Sequence, residues 1–133
     1  MSRHLSVCPF CGCGCNFYLV TQAGRIVGIE PSPANPVNKG MLCVKGWNAY
    51  EFIHSPDRLT SPLIRKDGKL VECSWEEALT TVASTMETIK DTHGPQSLAF
   101  LSSAKVTNEE NYLFMKMARA VFKTNNVDHC ARL

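Results

Sequence analysis

Cys8-Pro9-Phe10-Cys11-Gly12-Cys13-Gly14-Cys15 places four thiols in one short stretch, and Cys43 follows far along the chain in the sequence Cys43-Val44-Lys45-Gly46. Three thiolates from a tight loop and a fourth from a distant segment are a common way of holding a [4Fe–4S] cluster, which needs one thiolate for each iron. Gly12 and Gly14 lack a Cβ, so they allow the loop to turn tightly and to approach the sulfides. The motif therefore predicts an electron-transfer site.

The third ligand within the loop is either Cys13 or Cys15, and spacing alone does not prove which. The spacing Cys11-x-Cys13 is cramped for two corners of one cube, whereas Cys11-x3-Cys15 gives the loop room to pass around it. We therefore expect Cys8, Cys11, Cys15 and Cys43 to bind the metal, with Cys13 as a packed or solvent-near thiol.

Structural zinc and a disulfide framework are the alternatives for these cysteines. Zinc sites usually pair two Cys-x2-Cys knuckles, or one knuckle with two histidines, and no second knuckle surrounds Cys43. A disulfide framework suits a short secreted chain, but residues 1–4 lead into the motif without the apolar run of a signal peptide. Cys73 and Cys130 lie in apolar contexts and are expected to be ordinary buried cysteines.

The composition argues against several classes of protein. The chain has 133 residues, a formal net charge of +2 and 44% hydrophobic residues, which suits one globular domain or a small part of a larger protein. The charge is too small to predict a nucleic-acid partner, and no stretch is long enough for a transmembrane segment. Because the cysteines look reduced and no leader is visible, we expect a cytoplasmic protein.

The pattern downstream of the motif predicts a change from hairpins to helices. Turns at Gln22-Ala23-Gly24 and Lys66-Asp67-Gly68 indicate two β-hairpins. Ser74 with Glu77, and Thr107 with Glu110, have the spacing of capping boxes that begin two helices. Short apolar strands are expected after these helices, at residues 98–101 and 127–130.

The predicted fold class is therefore α+β. We expect residues 1–60 to form a small β-rich iron–sulfur subdomain and residues 61–133 to begin an α/β layer. Two strands cannot bury both faces of such a sheet, so the layer is expected to be incomplete, as in a truncated chain.

Several segments outside the cysteine motif match one family of enzymes. They are Asp57-Arg58-Leu59, Ser74-Trp75-Glu76-Glu77-Ala78-Leu79, Thr107-Asn108-Glu109-Glu110-Asn111-Tyr112 and Thr124-Asn125-Asn126-Val127-Asp128. Together with the cysteines, they closely resemble the N-terminal part of formate dehydrogenase catalytic (alpha) subunits, which belong to the molybdopterin oxidoreductase superfamily. The resemblance covers essentially the whole chain, and it implies that residues 61–133 begin the molybdopterin-binding domain.

The resemblance implies a role for each residue of the motif. Cys8, Cys11, Cys15 and Cys43 would bind the [4Fe–4S] cluster, and Lys45 would relay electrons between it and the pterin. The full-length enzyme would hold molybdenum or tungsten in a bis-molybdopterin guanine dinucleotide cofactor and interconvert formate and CO2. Electrons would pass to an acceptor subunit, which would be ferredoxin-like, NAD-reducing or a hydrogenase module.

The resemblance also implies that no catalytic residue lies within this chain. In the family, a selenocysteine or cysteine that binds the metal would directly follow Leu133. We hypothesise that the sequence stops there because selenocysteine is encoded by the UGA stop codon; an isolated domain and a truncated paralogue are the alternatives. The 133-residue chain alone is expected to be inactive with formate.

Two other functions compete with this interpretation. A stand-alone iron–sulfur electron-transfer module would need a complete fold, whereas the apolar residues Leu79, Val82 and Met115 are expected to lack partners. Another molybdopterin oxidoreductase, such as a nitrate reductase, is disfavoured by the matches at residues 107–112 and 127–133.

Overall fold

A computed structural model describes residues 1–130 and shows an α+β fold with three separate sheets. The expected fold class is thus confirmed. The elements in chain order are β1 (Ser2–Val7), β2 (Asn16–Gln22), β3 (Arg25–Pro31), α1 (Val44–Trp47), a 3-10 helix (Glu51–His54), β4 (Leu63–Lys66), β5 (Lys69–Glu72), α2 (Trp75–His93), a 3-10 turn (Pro95–Ser97), β6 (Phe100–Ser103), α3 (Asn108–Ala120) and β7 (Val127–Cys130).

The first sheet is antiparallel and has the strand order β1-β2-β3. The hairpin between β2 and β3 turns at Ala23 and Gly24, which both have positive φ angles, as a two-residue turn of the right twist requires. This hairpin was predicted. Strand β1 was not, because its six residues are mostly exposed and carry no clear apolar alternation; pairing with β2 creates it.

A small apolar core ties the cysteine motif to the first sheet. Its buried members come from the motif, from β2 and β3, and from the segment after α1. Phe17 on β2 is 2% exposed, and the partly buried side chains around the core include Cys15 of the motif. The buried members are Cys8, Phe17, Ile29 and Ala49.

The second hairpin and the helix that follows it form as the turn and cap residues predict. Strands β4 and β5 join through Asp67 and Gly68, both with positive φ. The Ser74 hydroxyl accepts a hydrogen bond from the Glu77 N–H at 3.1 Å and begins α2. The predicted capping box is only half formed, because the Glu77 carboxylate instead binds the Lys66 ammonium at 2.7 Å.

The final part of the described chain is a β–α–β unit. Strands β6 and β7 are parallel, and α3 provides the crossover that a parallel pair requires. The first of these strands begins at Phe100, two residues later than the predicted strand. A second core lies between these strands and the helices, with Leu98, Phe100, Ala118 and Phe122 buried.

The apolar side chains along α2, which include Leu79, Val82, Met86 and Ile89, are only partly covered by the rest of the chain. Met86 and Ile89 pack against the second core, but Leu79 and Val82 are 61% and 56% exposed. The observed exposure agrees with the expectation that Leu79 and Val82 would lack partners. Across residues 1–130, no helix is both long and apolar enough to cross a membrane.

Candidate metal centre

The cysteine motif is the connection between two paired strands. Val7 of β1 and Asn16 of β2 are register partners, so the sheet itself brings the two ends of the motif together. The Cys8 N–H donates to the Cys15 carbonyl at 2.9 Å and closes the loop. Gly14 has φ +77°, a left-handed conformation that a side chain disfavours, which is the tight turn expected of this glycine.

Asn38 fastens the segment that carries Cys43 to the end of this loop. Its side-chain oxygen accepts from the Asn16 N–H at 3.0 Å, and its amide donates to the Asn16 carbonyl at 3.1 Å and to the Met41 carbonyl at 2.8 Å. The residue is only 6% exposed. Because Asn16 directly follows Cys15, this clamp brings the distant cysteine segment to the motif.

Cys43 occupies the position just before α1, and its surroundings favour the thiolate. The backbone N–H groups of Gly46 and Lys45 and the positive charge of Lys45 lower the pKa of the Cys43 thiol, although partial burial opposes them. A thiolate is the form that binds metal. Cys43 is exposed, and its thiol is therefore accessible to a cluster.

The thiols of the motif lie close enough to affect one another. Burial raises the pKa of Cys8; the Phe10 backbone opposes this, and Cys11, Cys43 and Cys13 raise it further. Burial also raises the pKa of Cys15 to about 11, together with a hydrogen bond between its thiol and Cys13 and the nearby charges of Cys13, Cys8 and Cys11. Cys8 is therefore within electrostatic range of Cys11, Cys13, Cys15 and Cys43.

The donor set fits an iron–sulfur cluster. Burial and the charges of neighbouring thiols raise the pKa values of Cys8 and Cys15, and a bound iron cation would favour their thiolate forms. Within residues 1–130, no three His, Cys, Asp or Glu side chains converge on a point as the ligands of a single metal ion do. A [4Fe–4S] cluster binds each thiolate at a different iron and does not need such convergence.

The remaining predicted residues lie as follows. Lys45 is exposed in α1, beside Cys43. Cys73 is half-buried rather than buried, and its thiol donates to the Pro62 carbonyl at 3.6 Å in the second hairpin. The side chain of Cys130 lies outside the described residues, as does Leu133.

A cleft opens beside the β6–β7 sheet, at the carboxyl end of β6. Open α/β sheets bind ligands at the carboxyl ends of their strands. The cleft has a volume of 280 Å³ and combines hydroxyl, amide, carboxylate and imidazole groups. It is lined by Ser102, Ser103, Ala104, Asn111, Met115, Val127, Asp128 and His129.

One residue of this unit that sequence reasoning did not identify reaches the cysteine loop. The Asn108 side-chain amide, at the start of α3, donates to the Gly12 carbonyl at 2.7 Å. The only feature of the sequence that could have drawn attention to Asn108 is its position directly after the helix cap at Thr107. Nothing local in the sequence predicts so distant a contact.

Two family models match the chain and together cover almost all of it. Residues 1–55 match the molybdopterin oxidoreductase Fe4S4 domain, and residues 58–133 match the molybdopterin oxidoreductase model. The chain belongs to the molybdopterin oxidoreductase family. This family is the one that the sequence resemblance indicated, and its first domain is named for the cluster that the cysteine motif predicts.

Individual relatives are formate dehydrogenase subunits. The chain is 51% identical over 128 residues to the F420-dependent formate dehydrogenase subunit alpha of Methanocaldococcus jannaschii. It has the same identity, over the same length, to the F420-dependent formate dehydrogenase 1 subunit alpha of Methanococcus maripaludis. Each match covers 96% of this chain, and the chain spans 18% of the length of each relative.

Proposed function

We propose that this chain is the N-terminal part of the catalytic subunit of a molybdenum- or tungsten-dependent formate dehydrogenase. The observation that carries the proposal is the closed loop of residues 8–15, in which the Cys8 N–H donates to the Cys15 carbonyl, together with the Asn38 hydrogen bonds that fasten the Cys43 segment to Asn16. The similarity to formate dehydrogenase alpha subunits supports formate as the substrate of the whole protein.

The residues of the motif would hold the [4Fe–4S] cluster, which when bound supplies one-electron storage and transfer. Cys8, which is part of the first core, and Cys15, which packs against it, would bind the cluster from the loop, and Cys43 would bind it from the segment before α1. Lys45 keeps a positive charge beside Cys43, and a cation near an anionic cluster raises its reduction potential. Its ammonium group can also donate a hydrogen bond toward a pterin ring.

The β–α–β unit would supply the first contacts for the pterin dinucleotide. The cleft lies at the carboxyl end of β6, where open α/β sheets bind ligands, and it offers hydrogen-bond donors and acceptors. We assign residues 1–60 to the cluster-binding subdomain and residues 61–133 to the beginning of the pterin-binding domain. The separate cores of the two parts support this division.

We further infer a cytoplasmic location and an electron-acceptor subunit as partner. The six cysteines whose side chains the structure describes are free thiols, which suits a reducing compartment. The acceptor subunit would be ferredoxin-like, NAD-reducing or a hydrogenase module.

Substrate-driven reduction of the cluster tests the proposed reaction. In the subunit extended to the length of its relatives and purified anaerobically, we expect formate to reduce the cluster, measured by electron paramagnetic resonance. Acetate serves as the control carboxylate and should leave the cluster oxidised. Reoxidation of the dithionite-reduced cluster by nitrate, without any reduction by formate, would contradict the proposal and favour a nitrate reductase.

A further inference from the structure

A single hydrogen bond joins the two parts of the described chain. Asn108 is the first residue of α3, and its amide donates to the carbonyl of Gly12, 96 residues away, at 2.7 Å. Within residues 1–130, no other hydrogen bond or ion pair connects residues 1–58 with residues 62–130. The contact reaches the middle of the cysteine motif, between two of its thiols.

The Asn108 side chain occupies the space that a Cβ at position 12 would need. A Cβ built on Gly12 overlaps the Asn108 side-chain oxygen and lies 3.2 Å from its Cγ. Gly12 has no left-handed φ, so backbone conformation does not require glycine there. Gly14 is the opposite case, since its φ is +77° and its Cβ would meet nothing within 4 Å. The two glycines of the motif therefore serve different purposes.

Asn108 is itself held in place from both sides. Thr107 before it accepts from the Glu110 N–H at 3.2 Å, and the Glu110 carboxylate accepts from the Thr107 N–H at 2.7 Å. Further along the helix, the Asn111 amide donates to the Ser103 carbonyl at 3.1 Å and fixes α3 to β6. The Asn108 amide, which donates to the loop, therefore lies at a helix end whose position is fixed by these hydrogen bonds.

We infer that Asn108 is a positioning residue for the cluster, an inference that rests on the proposed function. By holding the Gly12 carbonyl, it fixes the peptide between Cys11 and Cys13 and docks the cluster loop against the pterin-binding layer. The orientation of nearby peptide groups and the exposure of a cluster to solvent both set its potential. Asn108 therefore controls the potential of the cluster and the geometry of its docking, without touching the metal.

The test compares Asn108→Ala with Glu109→Ala, a neighbouring exposed position on the same helix. It uses the iron-loaded subunit at the length of its relatives. In the Asn108 variant we expect iron to be retained, the midpoint potential to shift, and amide hydrogen exchange in residues 8–15 to become about three- to ten-fold faster, as for the loss of one hydrogen bond. The Glu109 variant should match the unaltered protein in all three.

Two further variants separate positioning from simple loss of structure. Gly12→Ala should reproduce the Asn108→Ala changes, but should add little in an Asn108→Ala background, because its clash partner is gone. Asn108→Gln keeps the donor and should restore part of the slow exchange.

The inference would be overturned if the effects of Gly12→Ala and Asn108→Ala on hydrogen exchange and midpoint potential were additive. It would also be overturned if Asn108→Ala changed neither the exchange nor the potential. Hydrogen exchange and redox titration with dithionite do not involve formate. These two measurements therefore test the role of Asn108 independently of whether the protein reacts with formate.

Discussion

Cys13 and Cys15 are two residues apart in the loop but have different surroundings. Cys13 is exposed, whereas Cys15 is half-buried and packs against the first core. The Cys15 carbonyl also closes the loop by accepting from the Cys8 N–H. A ligand whose backbone and side chain are both fixed holds a cluster with less loss of entropy on binding. The geometry therefore favours Cys15 as the third ligand.

We expect Cys15→Ala to lose the cluster and Cys13→Ala to keep it. The measurement is iron and sulfide content after anaerobic purification, together with the visible absorbance of the cluster. Cys73→Ala is the matched control, because that thiol is hydrogen-bonded to Pro62, away from the motif. A Cys13 variant without iron, beside a Cys15 variant with a full complement, would reverse the assignment.

Among the elements, α2 and α3 begin with similar sequences but different caps. At α3, Thr107 and Glu110 bind each other reciprocally, and these hydrogen bonds lower the pKa of Glu110 from its ordinary value of 4.5. The carboxylate thus stabilises the helix fully above that value, and the stabilisation is lost as the pH falls through the lowered pKa. At α2, the Glu77 carboxylate instead accepts a hydrogen bond from the Lys66 ammonium. Only the hydrogen bond from the Glu77 N–H to the Ser74 hydroxyl caps this helix.

Thr107→Ala is expected to destabilise the protein by about 1 kcal/mol at pH 7, the usual contribution of an N-cap hydroxyl. Thermal unfolding followed by circular dichroism measures the effect. Thr85→Ala is the control, since Thr85 is exposed in the middle of α2 and its hydroxyl only binds the Thr81 carbonyl. Alanine is the better helix former there, so equal losses in the two variants would contradict a capping role.

Elements with local signals were predicted well, and elements without them were not. The turns at Ala23-Gly24 and Asp67-Gly68 and the cap at Thr107 follow from neighbouring residues, and they form as expected. Strand β1 depends on pairing with β2. The Lys66–Glu77 ion pair joins a hairpin to a helix, so neither sequence segment alone indicates it.

The same distinction holds for the candidate centre. The spacing of the cysteines in residues 8–15 predicts that these thiols lie in one loop, because they are neighbours in the sequence, but it does not decide between Cys13 and Cys15 as the third ligand. The hydrogen bond from Asn108 to Gly12 spans 96 residues and depends on how two separately folded parts dock. A single sequence has no periodicity or motif that reports such docking.

At the scale of the whole molecule, the exposed apolar residues of α2 bear on whether this chain functions alone or as part of a larger subunit. Leu79 and Val82 are 61% and 56% exposed in one continuous face, while the chain spans 18% of the length of its relatives. Under the proposed function, the remainder of the subunit covers this face. A stand-alone electron-transfer module would instead keep it in water, where apolar patches promote association.

Replacing both residues with glutamate separates these two cases. In the 133-residue chain, Leu79→Glu with Val82→Glu should change the unfolding free energy by less than about 0.5 kcal/mol, as is usual for exposed positions. It should also reduce self-association, measured by sedimentation velocity. In the subunit of the relatives' length, the same pair should destabilise strongly, because two charges would then be buried. Met86→Glu, within the second core, should destabilise both forms. If the double variant is equally harmless at both lengths, then nothing covers this face, and the stand-alone module becomes the better description.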